Sequence, residues 1–195
     1  MAALAILAAT VLVSLAGFAS QPLLARCLFR PYWFAPQRQY WTLISSGLVH
    51  ANLTHLLFNG LSYWFFALPL QRAIGQGRFV ALYFLGLVLS NGGTWIKHRR
   101  EPGYATLGAS GAVTAVLFAA IVYYPRSSIA LMLIPVPIPA PLFAVLYLAF
   151  TYYSARRARG PINHDAHLDG ALVGLAFVAL TDPLAWARAW QLLIR

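Results

Sequence analysis

The sequence predicts an all-α, polytopic membrane protein: a single domain, residues 1–195, built as a bundle of six transmembrane helices. Three observations predict it. Only 9% of the 195 residues are charged and 61% are hydrophobic, with a mean hydropathy of +0.69. A water-soluble domain carries about 25% charged residues, so this chain cannot cover a water-facing surface. Six apolar segments, roughly 2–19, 53–71, 79–96, 110–124, 139–155 and 166–181, alternate with polar or proline-bearing connections. Each approaches the ~20 residues that cross a ~30 Å hydrocarbon core. The fourteen Lys and Arg stand singly in those connections, where membrane proteins keep them, so the net charge of +10 is no nucleic-acid signal.

The first segment lacks a basic leader, and Ala19-Ser20-Gln21 is a weak cleavage site, so it reads as a retained span and not a signal peptide. Residues 20–52 are rich in Pro, Arg and aromatics, including Pro31-Tyr32-Trp33-Phe34 and Tyr40-Trp41. Trp and Tyr favour the membrane interface, which places this connection on or partly in one leaflet. Cys27 is the only cysteine, so neither an intrachain disulfide nor a cysteine metal site is possible, and no histidine near it in sequence would activate it.

The second span opens with polar groups: His50, Asn52, His55 and Asn59. His55 and Asn59 are four apart and share a helix face. Such groups in lipid are costly and face a protein interior or a cavity; the bland alternative is hydrogen-bond glue between helices. The third span carries Asn91-Gly92-Gly93, suited to close packing, before the polar stretch Lys97 to Gly103, where His98 reads as a solvated loop residue. The fourth span starts at Gly108-Ala109-Ser110-Gly111 and stops at Pro125. The alternating prolines of Ile134 to Pro141 forbid a helix and make an extended entry to span five. The sixth span begins near His164-Asp165-Ala166-His167 and carries Gly170-x-x-x-Gly174, which lets another helix backbone approach. The tail 183–195, with Trp186, Arg188 and Trp190, reads as a short interfacial helix.

Spans two, four and six enter from the same membrane face, and each bears its polar residues at its N-terminal end. Counting back from the opposite exits, at about 1.5 Å per residue, places His55, Asn59, Ser110 and His167 at a common depth of roughly 20–25 Å from the far surface. Three unrelated helices would have to agree by accident. The chemistry then assigns roles. Ser110 is a weak nucleophile until a base takes its proton, and His167 is the natural base. Asp165 and Asp169 are each two residues from His167 and point to other helix faces, which favours a Ser–His dyad over a triad. Oxyanion donors are available from the Ser110 amide at a helix start and from His55 and Asn59. A zinc site on His164-x-x-His167 with Asp165 lacks a third strong ligand and is a weak signal.

This pattern resembles the rhomboid family of intramembrane serine proteases. The likeness rests on His55-Leu-Leu-Phe-Asn59, Gly108-Ala-Ser110-Gly111 and Ala166-His167-Leu-Asp-Gly170-Ala-Leu-Val-Gly174, and covers roughly residues 40–181. The resemblance implies a Ser110–His167 dyad with oxyanion donors His55, Asn59 and the Ser110 amide. It implies close packing at Gly108, Gly111, Gly170 and Gly174, and cleavage of peptide bonds in or near transmembrane segments of membrane-protein substrates, without metal or cofactor. It also implies a minimal six-span form, a lipid-bilayer setting and, with no transit peptide visible, a bacterial inner membrane. Two positions depart from the family pattern: Trp41-Thr42 where many members carry Trp-Arg, and Gln71 where many carry glutamate near the end of span two; both concern anchoring and not the dyad. A catalytically silent client-binding relative and a rhombosortase cutting C-terminal sorting tails are the alternatives, with a small transporter the third class. Orientation is pulled two ways. Loops one, three and five hold nine Lys/Arg against five elsewhere, which by the positive-inside rule puts the polar face in the cytoplasm; the resemblance puts it outside, with arginines of loops one and five snorkelling to headgroups.

Overall fold

The computed structural model describes residues 1–131, 134–157 and 162–194. Arg159 and Arg195, both counted in the charge balance above, fall outside the described residues. The chain is mostly helical: α1 (Ala2–Ala19), α2 (Gln21–Cys27), α3 (Pro31–Phe34), α4 (Thr42–Ser45), α5 (Leu53–Ile74), α6 (Gln76–His98), α7 (Ser110–Tyr123), a hairpin of β1 (Ser128–Leu131) and β2 (Ile134–Pro139), then α8 (Ala140–Arg157), α9 (His164–Thr181) and α10 (Pro183–Ile194).

The bundle is arranged around α7. Its sequence is apolar on every side, and a helix of that kind is buried all round: every residue from Gly111 to Val122 is buried, against α5, α6 and α9. Small residues set the spacing. A Cβ on Gly170 would run into the carbonyl of Gly111, and one on Gly174 into that of Ala115, so α9 and α7 meet backbone to backbone. A Cβ on Gly86 of α6 would stand 2.7 Å from the Ala115 methyl on the other side.

By length and composition, α1 and α6 qualify as membrane spans, with hydropathy 2.3 and 1.5; α9 qualifies only together with α10, across a 105° bend. Of the six apolar segments, therefore, two form helices that meet the measure on their own, or three spans if the bent pair counts as one. The reasons are local. Helix α7 has 14 residues, about 21 Å at 1.5 Å per residue, and α5 is diluted by His55, Asn59, Gln71 and Arg72.

Helix α1 is fixed at its start: the Ala3 N–H donates to Gln71 Oε1 at 2.7 Å, and the Tyr63 hydroxyl donates to the Ala3 carbonyl at 3.0 Å. Gln71, a departure from the family pattern, thus still anchors. The connection 20–52 is a chain of short helices laid against α6, held where Asn91 Nδ2 donates to the Leu43 carbonyl at 2.9 Å. Its Cys27 is buried. Helix α6 runs past Gly93 to His98, and this corrects the reading of His98 as solvated. Its ring is 6% exposed, stacked at 3.7 Å on Tyr104, with Nε2 3.4 Å from Asp165 Oδ2 and Nδ1 3.0 Å from Glu101 Oε2. Two carboxylates and a phenol take the place of water around it.

The proline-rich entry to span five is extended, as expected, and it pairs with β1 in an antiparallel hairpin. At the opposite end of the chain, the Tyr123 hydroxyl and Arg188 Nη2 both donate to Asp182 Oδ2, at 3.0 and 2.6 Å, and fix the bend before α10. Helix α10 buries Ala185 and Ala189 and exposes Leu184, Trp186 and Trp190, the division expected of a helix lying in an interface.

Candidate active site

Ser110 is the first residue of α7. The turn before it is shaped by Gly108, whose φ of +113° is open to glycine. The Gly108 N–H donates to the Ser46 carbonyl at 2.8 Å, which ties the turn to the folded connection. What packs on Gly108 is a side chain rather than a helix: a Cβ there would stand 2.8 Å from His55 Cε1 and 3.0 Å from Nε2. The first amide of α7 to bond back along the helix is that of Val113, to the Ala109 carbonyl at 2.9 Å. The Ser110 amide is therefore one of those left without a helical acceptor, at the positive end of the helix dipole. The Thr114 hydroxyl donates to the Ser110 carbonyl at 2.7 Å and steadies the turn.

His167 lies one turn into α9, whose start is capped by Asn163 Oδ1 accepting the Ala166 N–H at 3.0 Å. A Cβ on Gly111 would run into Ser90 of α6 and stand 3.3 Å from the Ala166 carbonyl of α9, so the residues adjoining Ser110 and His167 leave room for no side chain between them. Among the described residues, Ser110 and His167 share no direct hydrogen bond. His167 Nδ1 instead stands 3.2 Å from the Tyr147 hydroxyl of α8, and the Tyr147 ring lies near-parallel to the imidazole, 19° between planes at 6.4 Å. If Nδ1–H donates to Tyr147, Nε2 keeps its lone pair for a proton from Ser110. No carboxylate occupies that position: Asp165 pairs with Lys97 at 2.7 Å, and Asp169 packs on Gly93.

His55 lies against the turn that leads into Ser110, where its ring would meet a Cβ on Gly108 and stands 4.9 Å from the ring of His50. Asn59 lies on the same face of α5, but its Nδ2 donates back to the His55 carbonyl at 3.1 Å, which leaves one amide hydrogen for other partners.

Two residues beyond the predicted set belong to this constellation. Tyr147 is one. With Phe at that position the ring remains and the hydrogen bond is lost; the expected result is roughly a tenfold fall in kcat with little change in KM and a melting temperature lower by about 2–4 °C, measured by steady-state cleavage and a thermal melt. His50 is the other. It is fully buried; its Nδ1 is 2.9 Å from Ser14 Oγ, which donates its own hydrogen to the Leu48 carbonyl at 2.9 Å. The relay fixes His50 as the Nδ1–H tautomer, and Nε2 accepts the Ala109 N–H at 3.5 Å, directly under Ser110. Burial, reinforced by the His55 ring 4.9 Å away, pushes the His50 imidazole down to about 3. An unfolded histidine titrates near 6.5, so below that pH the unfolded chain binds the extra proton and stability falls toward the folded value. Between pH 7 and pH 5 the loss is about 2 kcal/mol. It should appear as an acid-dependent drop in melting temperature that His50→Gln removes.

Residues 37–183 match the family model for the rhomboid domain. The chain is 40% identical over 75 residues to the rhomboid protein YdcA of Bacillus subtilis (strain 168), covering 38% of this chain and 37% of that one. It is 29% identical over 157 residues to the presenilin-associated rhomboid-like protein, mitochondrial, of Rattus norvegicus, covering 74% and 39%. It is 27% identical over 158 residues to the rhomboid protease GluP of Bacillus subtilis (strain 168), covering 80% and 29%. The chain spans less than half the length of each of these relatives.

Proposed function

Since the chain belongs to the rhomboid family, a family of integral membrane proteins, we propose that it is an intramembrane serine endopeptidase that cleaves membrane proteins in or near a transmembrane segment. The single observation that carries the reading is the backbone contact between Gly111 and Gly170. It brings the first turn of α7, with Ser110, alongside the first turns of α9, with His167.

In this reading α1, α5, α6, α7, α8 and α9 are the six crossings of one domain, and α7 is short because it is surrounded by protein and not lipid. Ser110 Oγ attacks the scissile carbonyl carbon and passes its proton to His167 Nε2. The carbonyl oxygen becomes an oxyanion, held by the Ser110 N–H, a ring N–H of His55 and the free amide hydrogen of Asn59. As the tetrahedral intermediate collapses, the C–N bond breaks and the leaving amine takes the proton from His167. A water then attacks the acyl-Ser110 ester, with His167 again as base, and releases the new carboxylate. The substrate helix must unwind locally, because a helical carbonyl is already hydrogen bonded along its own chain. In this reading the chain sits in a bacterial cell membrane with its site open to the outer face; the relatives from Bacillus subtilis (strain 168) support the bacterial setting, and the mitochondrial relative from Rattus norvegicus marks the alternative.

The test is cleavage of a single-span protein co-reconstituted with the purified chain in liposomes, with product ends located by mass spectrometry. New termini within or beside the span are expected. Cuts confined to the soluble tails would contradict the intramembrane reading.

A further inference from the structure

Away from the dyad, an open pocket of about 350 Å³ lies between α3 and the C-terminal turn of α6. Its walls are Tyr32, Trp33, Pro36 and Trp95, and among the described residues the one charged group lining it is Arg99. The arginine stands over the Trp95 ring, 5.6 Å from its centroid. Among the described residues it has no carboxylate partner. The acids nearest in sequence and space are already engaged: Glu101 lies 3.0 Å from His98 Nδ1, and Asp165 holds Lys97 at 2.7 Å. Arg100 follows directly, and among the described residues no acid lines the cavity, so the pocket carries net positive charge on aromatic walls.

We propose that this pocket binds the phosphodiester headgroup of a glycerophospholipid without a headgroup cation, of the phosphatidylglycerol type. A guanidinium pairs with phosphate oxygens through two parallel N–H donors. The face of Trp95 beneath it favours the cation at that place. Trp and Tyr rings suit the boundary between headgroup and acyl chain, so the walls accept the glycerol and the first methylenes. A choline or ethanolamine group would bring a cation beside Arg99 and Arg100, and is disfavoured for that reason. The pocket sits at the end of α6 that faces Asp165 and Asn163, so the bound lipid would brace the connection 20–52 at the level of the site.

The experiment is a thermal melt of the full chain in detergent with dihexanoyl phosphatidylglycerol, dihexanoyl phosphatidylcholine or inorganic phosphate. Phosphatidylglycerol is expected to raise the melting temperature saturably, by about 3–6 °C at ten times its dissociation constant. The rise is expected to vanish in Arg99→Gln and persist in Arg100→Gln. An equal rise with phosphatidylcholine, or one that survives in Arg99→Gln, overturns the proposal; an equal rise with inorganic phosphate assigns the site to a free anion and overturns the lipid. Should Arg99→Gln fail to fold, vesicles decide it. Phosphatidylglycerol brominated on its acyl chains should quench tryptophan fluorescence in wild type beyond the level given by brominated phosphatidylcholine, and the excess should fall in Trp95→Phe. No excess in wild type overturns it as well.

Discussion

Ser110→Ala and His167→Ala are each expected to lower kcat/KM for a single-span substrate by at least roughly 10³-fold, with the double variant no worse than either single one. The size follows from the division of labour: without the hydroxyl there is no acyl-enzyme, and without the imidazole the hydroxyl keeps its proton. Groups that act as a unit are not additive. Stability should stay nearly untouched, and that makes the test clean. The Ser110 hydroxyl makes no hydrogen bond to any described residue, so its loss strands no partner. His167 loses one bond, to Tyr147 at 3.2 Å, worth about 1 kcal/mol, or about 2–4 °C in a chain of this size. Cleavage persisting in Ser110→Ala would locate the nucleophile elsewhere.

Gly170→Leu is expected to leave no folded protein in mild detergent, and Gly170→Ala to fold with a melting temperature lowered by several degrees and a weakened site. Even a methyl at this position meets the Gly111 backbone, which cannot swing aside as a side-chain tip can. Helix α9 must retreat from α7, and overpacking of this kind costs about 1–3 kcal/mol for small insertions and more for large ones. Retreat also withdraws His167 from Ser110, so activity should fall further than stability. Gly92 is the control: a Cβ there meets nothing within 4 Å, and Gly92→Ala in the middle of α6 should be neutral or stabilising by up to about 1 kcal/mol. Melts of the three variants in one detergent check the order. If Gly170→Leu melts like wild type, the α7–α9 contact is not the organising one.

The positions of the helices were legible because apolar runs and their breakers are local properties. Ala2–Ala19 is bounded as its sequence suggests, and α7 begins at Ser110 because Gly108 takes a φ that favours glycine. Gly111 and Gly170-x-x-x-Gly174 were legible as positions of close packing, yet Ala115, which Gly174 meets, emerged only from the folded bundle, since an alanine on an all-apolar helix marks no direction. Tyr147 could not be told from Tyr152 and Tyr153 of the same helix: what distinguishes it is the position of α8 relative to His167. His50 was visible as a polar residue, but its role depends on Ser14 and Leu48, which only the folded connection brings to it. His98 was misjudged because its neighbours in sequence are cations, whereas Asp165, from the far side of the chain, and Tyr104 are its neighbours in space. The hairpin shows the same limit: prolines dictated an extended strand, and pairing with Ser128–Leu131 was a tertiary choice.

The central claim is that Ser110 is a nucleophile activated by His167. Its most direct measurement is labelling by a fluorophosphonate, in which Ser110 Oγ forms the bond to phosphorus as fluoride leaves. Peptide mapping by mass spectrometry should find one adduct, on Ser110, in the wild type, and none in folded His167→Ala under the same exposure. An adduct on another residue, or equal labelling of Ser110 without His167, would contradict the account.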